Sequence, residues 1–245
     1  MVPPITARKA HTAAPEGGGS ARSGWLVAAE AAALAAFAVL LTAHAARTLR
    51  LLEGPGDAAA LAVAALAALL AADLGSGLVH WICDSFFHVT TPLIGPAVIA
   101  PFREHHTDPL AITRRGFAEV NSSNCAVMLP PLALACWAAP PAAGSLTGLL
   151  GAGFLLFVAP AVLLTNQIHQ WAHRAAVPRP VRWAQRRRLI LPPAEHARHH
   201  EGGATVAYCI TTGWLNRPLD RSGLLPALAR MARPGRGRFP TLGRA

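Results

Sequence analysis

Long runs of alanine and leucine, interrupted by short polar clusters, set the pattern of the chain. Four apolar stretches stand out, at about Trp25–Ala46, Ala58–Cys83, Asn124–Ala139 and Leu146–Leu164. A membrane-spanning helix needs roughly 20 mostly apolar residues, and the first, second and fourth stretches meet that. The third is short and carries Pro130-Pro131, which predicts a kinked or partly inserted helix. It is kept as a crossing because the fourth stretch then ends on the side that the histidine motifs require. The pattern therefore predicts an all-α integral membrane protein with about four transmembrane helices. Residues 1–23, rich in Gly, Ala, Pro and Ser, read as a disordered tail. Residues 24–225 read as the membrane domain and 226–245 as a basic C-terminal tail. The polar segment before the first stretch, and the length of that stretch, argue against a cleaved signal peptide.

Composition agrees with this. The 245 residues are 53% hydrophobic and 14% charged, whereas a soluble domain carries about 25% charge. A soluble globular enzyme and a disordered chain are both excluded. Four cysteines are too few for a disulfide scaffold, and they read as small apolar fillers. The net charge of +10 raises the question of nucleic acid, but its distribution points to a membrane surface. The N-terminal tail holds Arg8, Lys9 and Arg22, and the loop between the first two stretches holds Arg47 and Arg50. The next loop holds Arg103, Arg114 and Arg115, the one after it none, and the segment from Arg174 to Arg244 holds fourteen arginines. Four crossings then put 20 basic residues on one side and 2 on the other. The positive-inside rule places both termini in the cytoplasm, in a bacterial cell at the inner membrane. The remaining basic excess faces anionic headgroups, and no nucleic-acid partner is expected.

The chemistry lies in the histidines. Of eleven, His11 and His44 are read as incidental and the other nine fall on the cytoplasmic side. His80 and Asp84 in HWICD are four apart, on one helix face with Gly77 and Asp73. A carboxylate such as Asp73 inside a span either serves function or bonds a polar group on a neighbouring helix. His105 and His106 are adjacent, so they face different ions or one orients the other. His169 and His173 are four apart with Asn166 on their stripe, and His196, His199 and His200 have i, i+3, i+4 spacing. His88 has no partner at helical spacing and is left out.

Each motif alone is weak, but eight imidazoles in four clusters on one membrane face suit two metal ions with room for an exogenous ligand. Cysteine pairs of the zinc-site kind and the string HExxH are both absent. Many imidazoles at a membrane surface fit iron, which binds and reduces O₂. The residues alone carry the reading as far as a membrane di-metal oxidase of lipids, with a membrane phospholipid as substrate.

The strings HWICD, PFREHHTDPLAIT (101–113), TNQIHQWAH, EHARHH and YCITTGWLN (208–216) occur in that order. Together they resemble the plasmanylethanolamine desaturase family over about Asp73 to Asp220. The resemblance implies a cytoplasmic, His-rich di-iron centre that uses O₂ to place the vinyl ether double bond in 1-O-alkyl phospholipids. A plant relative acts instead on the palmitoyl chain of phosphatidylglycerol, so fold alone does not fix the substrate. By resemblance the ligands are His80, His105, His106, His169, His173, His196, His199 and His200, and Asp84 and Asp108 match acidic positions within the motifs. Asp84 is expected as a ligand or as the partner of one. Glu104 and Glu195 sit beside ligands and are candidates to orient them, with an exposed surface position the alternative for Glu195. Asn166 is expected near the metals or in packing. Tyr208, Trp214 and Asn216 are expected to anchor at the interface or shape the substrate site. Where animal members carry a further His, this chain has Ala204. Without a ferredoxin-like Cys run or flavin motif, electrons are expected from a separate donor of the ferredoxin or cytochrome b5 type. The alternatives are an enzyme acting on an ester-linked acyl chain, by desaturation or hydroxylation, and a non-catalytic metal-binding membrane sensor.

Overall fold

The computed structural model describes residues 22–232, and within them every regular element is helical. Four long helices form a bundle: α1 (Gly24–Leu49), α2 (Gly56–Ser85), α4 (Phe117–Trp137) and α5 (Leu146–His173). Between α2 and α4 lie a π-helical turn at Gly95–Ile99, α3 (Ala100–Thr107) and a 3₁₀ turn at Ala111–Arg114. After α5 come four short helices: α6 (Arg179–Arg186), α7 (Pro193–Glu201), α8 (Asn216–Ser222) and α9 (Leu224–Ala232).

Alanine and leucine lose little side-chain freedom in a helix, and the ends are chemically marked. The Asp57 carboxylate accepts from the backbone N–H groups of Glu53 and Gly54, at 2.6 and 2.9 Å, where α2 begins. Ser145 caps α5 by accepting from the Gly148 N–H at 3.1 Å. Arg103 donates to the carbonyls of Asp84 and Phe87, near the last turn of α2.

The helices pack through small residues. Ala60, Ala64, Ala68 and Ala72 form a buried stripe along α2, and α2 lies against α5. A side chain at Gly153 of α5 would come within 3.1 Å of the Ala64 Cβ. Lipid tails are as apolar as the side chains, so close backbone approach and dispersion, more than water exclusion, hold such helices together. Helix α4 packs on both α1 and α5 around Phe37, Cys125, Met128, Leu132 and Ala159.

Among the described residues, α1, α2 and α5 are long and apolar enough to cross a membrane. The third expected crossing differs from its prediction. It begins at Phe117, seven residues before Asn124, and runs through Pro130 and Pro131 to Trp137. Its opening turns carry Glu119, Asn121, Ser122, Ser123 and Asn124, which keep its hydropathy low. These side chains find partners inside the bundle. Asn121 accepts from the Gln167 N–H at 3.1 Å, and Asn124 donates to the Val162 carbonyl at 2.8 Å.

The tail expected from 226 begins inside a helix. In α9, Leu225 and Ala229 are buried against Trp81 and Tyr208, so the packed unit extends to Ala229 and the helix to Ala232. The tail expected at 1–23 lies outside the described residues except for Arg22 and Ser23; Arg22 pairs with Glu30 and Glu119.

Candidate metal centre

The C-terminal ends of α2 and α5 meet at one end of the bundle, where α3 and α7 lie over them. All eight histidines singled out from the sequence converge there; seven of them, with Asp84, form two adjoining sets, and His169 lies against His105 and His196 of the first.

The first set is His105, His173, His196 and His200, from α3, α5 and α7. The His105 Nε2 lies 3.0 Å from that of His169, 3.2 Å from that of His173 and 3.1 Å from that of His200. The His196 Nε2 lies 2.9 Å from that of His169 and 3.1 Å from that of His200. One imidazole nitrogen donates a single proton or offers a single lone pair, so these contacts cannot all be hydrogen bonds. They match donors around a cation. Nitrogens about 2.0–2.1 Å from one ion, as in zinc sites, stand about 2.8–3.4 Å apart at right or tetrahedral angles. His169 borders both sets, with its ring centre 4.4 Å from that of His105 and 6.1 Å from that of His80.

The second set is His80, Asp84, His106 and His199. The His80 Nδ1 faces the Tyr208 carbonyl at 3.1 Å, and the His199 Nδ1 faces the Val206 carbonyl at 2.7 Å. A carbonyl only accepts, so both Nδ1 atoms carry the proton and both Nε2 atoms present lone pairs. Those two Nε2 atoms are buried without a hydrogen-bond partner. Each instead lies 3.4–3.5 Å from the Asp84 carboxylate. The His106 Nε2 is 3.1 Å from both Asp84 oxygens. A carboxylate aimed at two lone pairs is repulsive unless a proton or a metal cation lies among them, and three imidazoles around one carboxylate make a donor set that fits a metal ion.

Adjacent and i+3/i+4 residues distribute the ligands. His105 and His106 go to different sets. On α7, His196 and His200 join the first set while His199 joins the second. Burial, reinforced by neighbouring imidazoles, holds His105 and His196 far below the usual histidine range and His200 at about 3. The rings are therefore neutral, the form that binds metal.

The other expected residues separate clearly. Asp84 joins the second set. Asp108 does not reach the rings: its carboxylate is exposed, paired with Arg114 at 2.5 Å, and accepts from the Leu110 N–H. Glu104 is likewise exposed and paired with Arg115 at 2.6 Å. On their short segments both point away from the buried face. Glu195 is buried, not a surface group, and pairs with Arg198. Asn166 serves packing, donating to the Val120 carbonyl at 3.0 Å. His88 bonds Thr90 on the surface, and the His44 Nε2 meets the Ala152 carbonyl away from the cluster.

Tyr208 and Asn216 are buried rather than interfacial. Tyr208 packs its ring beside His80 and His199, and Asn216 bonds both backbone groups of Cys209, at 2.7 and 3.0 Å. The Trp214 indole donates to the Arg188 carbonyl at 2.6 Å. The carbonyls of Val206 and Tyr208 were invisible in the sequence, because every residue carries one. Asp73 was visible as a carboxylate in an apolar run, but its partners were not.

Residues 69–241 match the family model described as a lipid desaturase domain. The chain is 40% identical over 177 residues to plasmanylethanolamine desaturase of Myxococcus xanthus, covering 72% of this chain and 62% of that protein. It is 42% identical over 161 residues to mouse plasmanylethanolamine desaturase 1, covering 64% of this chain and 59% of that protein. With the Arabidopsis thaliana chloroplastic fatty acid desaturase 4 it shares 34% over 172 residues, covering 68% of this chain and 50% of that protein. It thus spans less than two thirds of the length of these relatives. No solved structure matches. The matched region takes in all eight converging histidines, and the chain belongs to the lipid desaturase family.

Proposed function

We propose that the chain is an O₂-dependent desaturase that places the vinyl ether double bond in the alkyl chain of 1-O-alkyl ether phospholipids, as the names of its bacterial and mouse relatives suggest. The convergence of eight imidazoles, seven of them in two adjoining sets with Asp84, in a member of the lipid desaturase family, carries this reading. The residues fit two ions, which are taken to be iron. His105, His173, His196 and His200 would hold one, His80, Asp84, His106 and His199 the other, and His169 borders both. Iron bound there would supply O₂ reduction and an oxidant for an unactivated C–H bond. Overall, the alkyl chain gives up two hydrogens, a separate donor protein supplies two electrons and the solvent two protons, so that O₂ leaves as two waters.

The protein's own contribution is positioning and exclusion. The Val206 and Tyr208 carbonyls hold two imidazoles in the metal-binding tautomer. Asp84 offsets cation charge. His80, His196 and His199 are sealed from solvent, which protects the oxidising site from water and side reactions. In this reading α4 is the return crossing that lets α2 and α5 end on the same face. We place that face, and both termini, in the cytoplasm, with the substrate's headgroup-proximal carbons nearest the site.

Expression in a bacterium supplied with alkyl ether lipid, iron and an electron donor should yield acid-labile vinyl ethers two hydrogens lighter than the precursor. Unchanged ether lipid, in cells where the protein holds its metal, would overturn the reading. The identity to an Arabidopsis fatty acid desaturase favours a second reading, ester-linked acyl chains, and the same mass spectra would show loss of hydrogen there instead.

A further inference from the structure

Asp73 is fully buried in α2, two turns before His80. Its carboxylate accepts three backbone N–H groups from one segment: Thr212 at 2.7 Å, Gly213 at 2.8 Å and Leu215 at 3.1 Å. The same segment is fastened along the same face of α2. The Ile210 N–H donates to Ser76 Oγ at 3.1 Å, and Thr211 Oγ1 donates to the Ala72 carbonyl at 3.3 Å. Cys209 lies so close to Gly77 that a Cβ there would fall 2.5 Å from its Sγ. Upstream, this segment presents the carbonyls of Tyr208 and Val206 to His80 and His199. Both of those histidines belong to the second set. No ligand of the first set is bonded to the segment.

We infer that Asp73 is a positioning residue: by gripping residues 212–215 it holds the 206–210 strap against α2, and so orients His80 and His199 for one of the two metal ions. Three N–H donors converging on one carboxylate explain why a charge is kept at this depth, since charge-assisted bonds to an anion are strong and an unpaired anion there would be costly. Asparagine would keep at most two of the three bonds, because with its oxygen towards Thr212 and Gly213 its amide nitrogen would meet the Leu215 N–H head on. The inference rests on the two-ion reading above, and it makes the two sites separable.

The test titrates the purified, detergent-solubilised full chain with Fe²⁺ without O₂, alongside hydrogen exchange of the metal-free protein. In Asp73→Asn, exchange should accelerate in residues 206–215. One ion should bind as in the parent, and the other about 10–100-fold more weakly, as when partners that orient ligands are lost. Gly77→Ala, which pushes the strap outward without touching Asp73, should weaken the same ion. Adding Cys209→Ala should restore it by removing the Sγ that clashes; this pair also decides the matter if Asp73→Asn fails to accumulate. Equal weakening of both ions, or unaltered binding with the strap loosened, would overturn the inference. A parent chain that takes up only one ion would defeat the two-ion reading instead, and exchange with the affinity of that ion would still decide the role of Asp73.

Discussion

Replacing Asp84 by asparagine removes one charge and leaves the shape. In the second set the carboxylate faces His106 at 3.1 Å and His80 and His199 at 3.4–3.5 Å. A divalent cation among them, at about 3 Å and an effective dielectric of about 20, would feel about 11 kcal/mol of gross attraction to that charge. Most of this offsets desolvation. The net cost of removing one partner from a buried ion pair is about 3–5 kcal/mol, or roughly two to nearly four orders of magnitude in affinity. The first set holds no carboxylate, so its ion should stay. Metal analysis after dialysis against a graded chelator series should show Asp84→Asn retaining one ion where the parent retains two, with vinyl ether formation lost. Asp84→Asn should also weaken that ion more than Asp73→Asn does, since Asp84 faces it directly. Retention of both ions at parental chelator concentrations, or loss of both together, would refute the charge argument.

Three further outcomes follow from the same geometry. In the metal-free protein His105 and His196 titrate far below 6.5 and His200 at about 3; the unfolded chain takes up these protons near pH 6.5, so stability is present above that value and lost as the pH falls from about 6.5 towards 3. Thermal melts in detergent should therefore fall between pH 7.5 and pH 5, and a flat profile would contradict the buried neutral rings. His88→Ala should leave vinyl ether yield unchanged while His169→Ala abolishes it; a loss in both would bring His88 into the site. Leu132→Ala empties a fully buried position between α1, α4 and α5 and should cost about 2–5 kcal/mol, read as a lower melting temperature with metal content intact.

Much of this molecule was written in the order of residue types. Apolar runs of sufficient length specify spanning helices whatever their neighbours, because a backbone in lipid must satisfy its own hydrogen bonds. Helical spacing put His80 with Asp84 and His169 with His173 on shared faces, and the eight histidines lie together at one end of the bundle. Charged side chains were harder to read. Asp84, Asp108 and Glu104 lie close to ligands in sequence, yet only Asp84 is on the buried face; the other two pair with Arg114 and Arg115 in solvent. The start of α4 at Phe117 was likewise hidden, because Asn121 looks like a loop residue until Gln167 is seen beside it.

What tertiary structure alone decided was the division of labour. Nothing in HH or HARHH says that neighbours fall in different sets; that follows from the way α2, α3, α5 and α7 meet. Nor does any sequence pattern reveal that two backbone carbonyls set the tautomers of His80 and His199, or that Asp73 holds the segment bearing them. Local sequence determines which side chains a helix offers on each face, because its period is set by backbone geometry. Which donors come together depends on contacts between segments more than a hundred residues apart, and these exist only once the chain has packed.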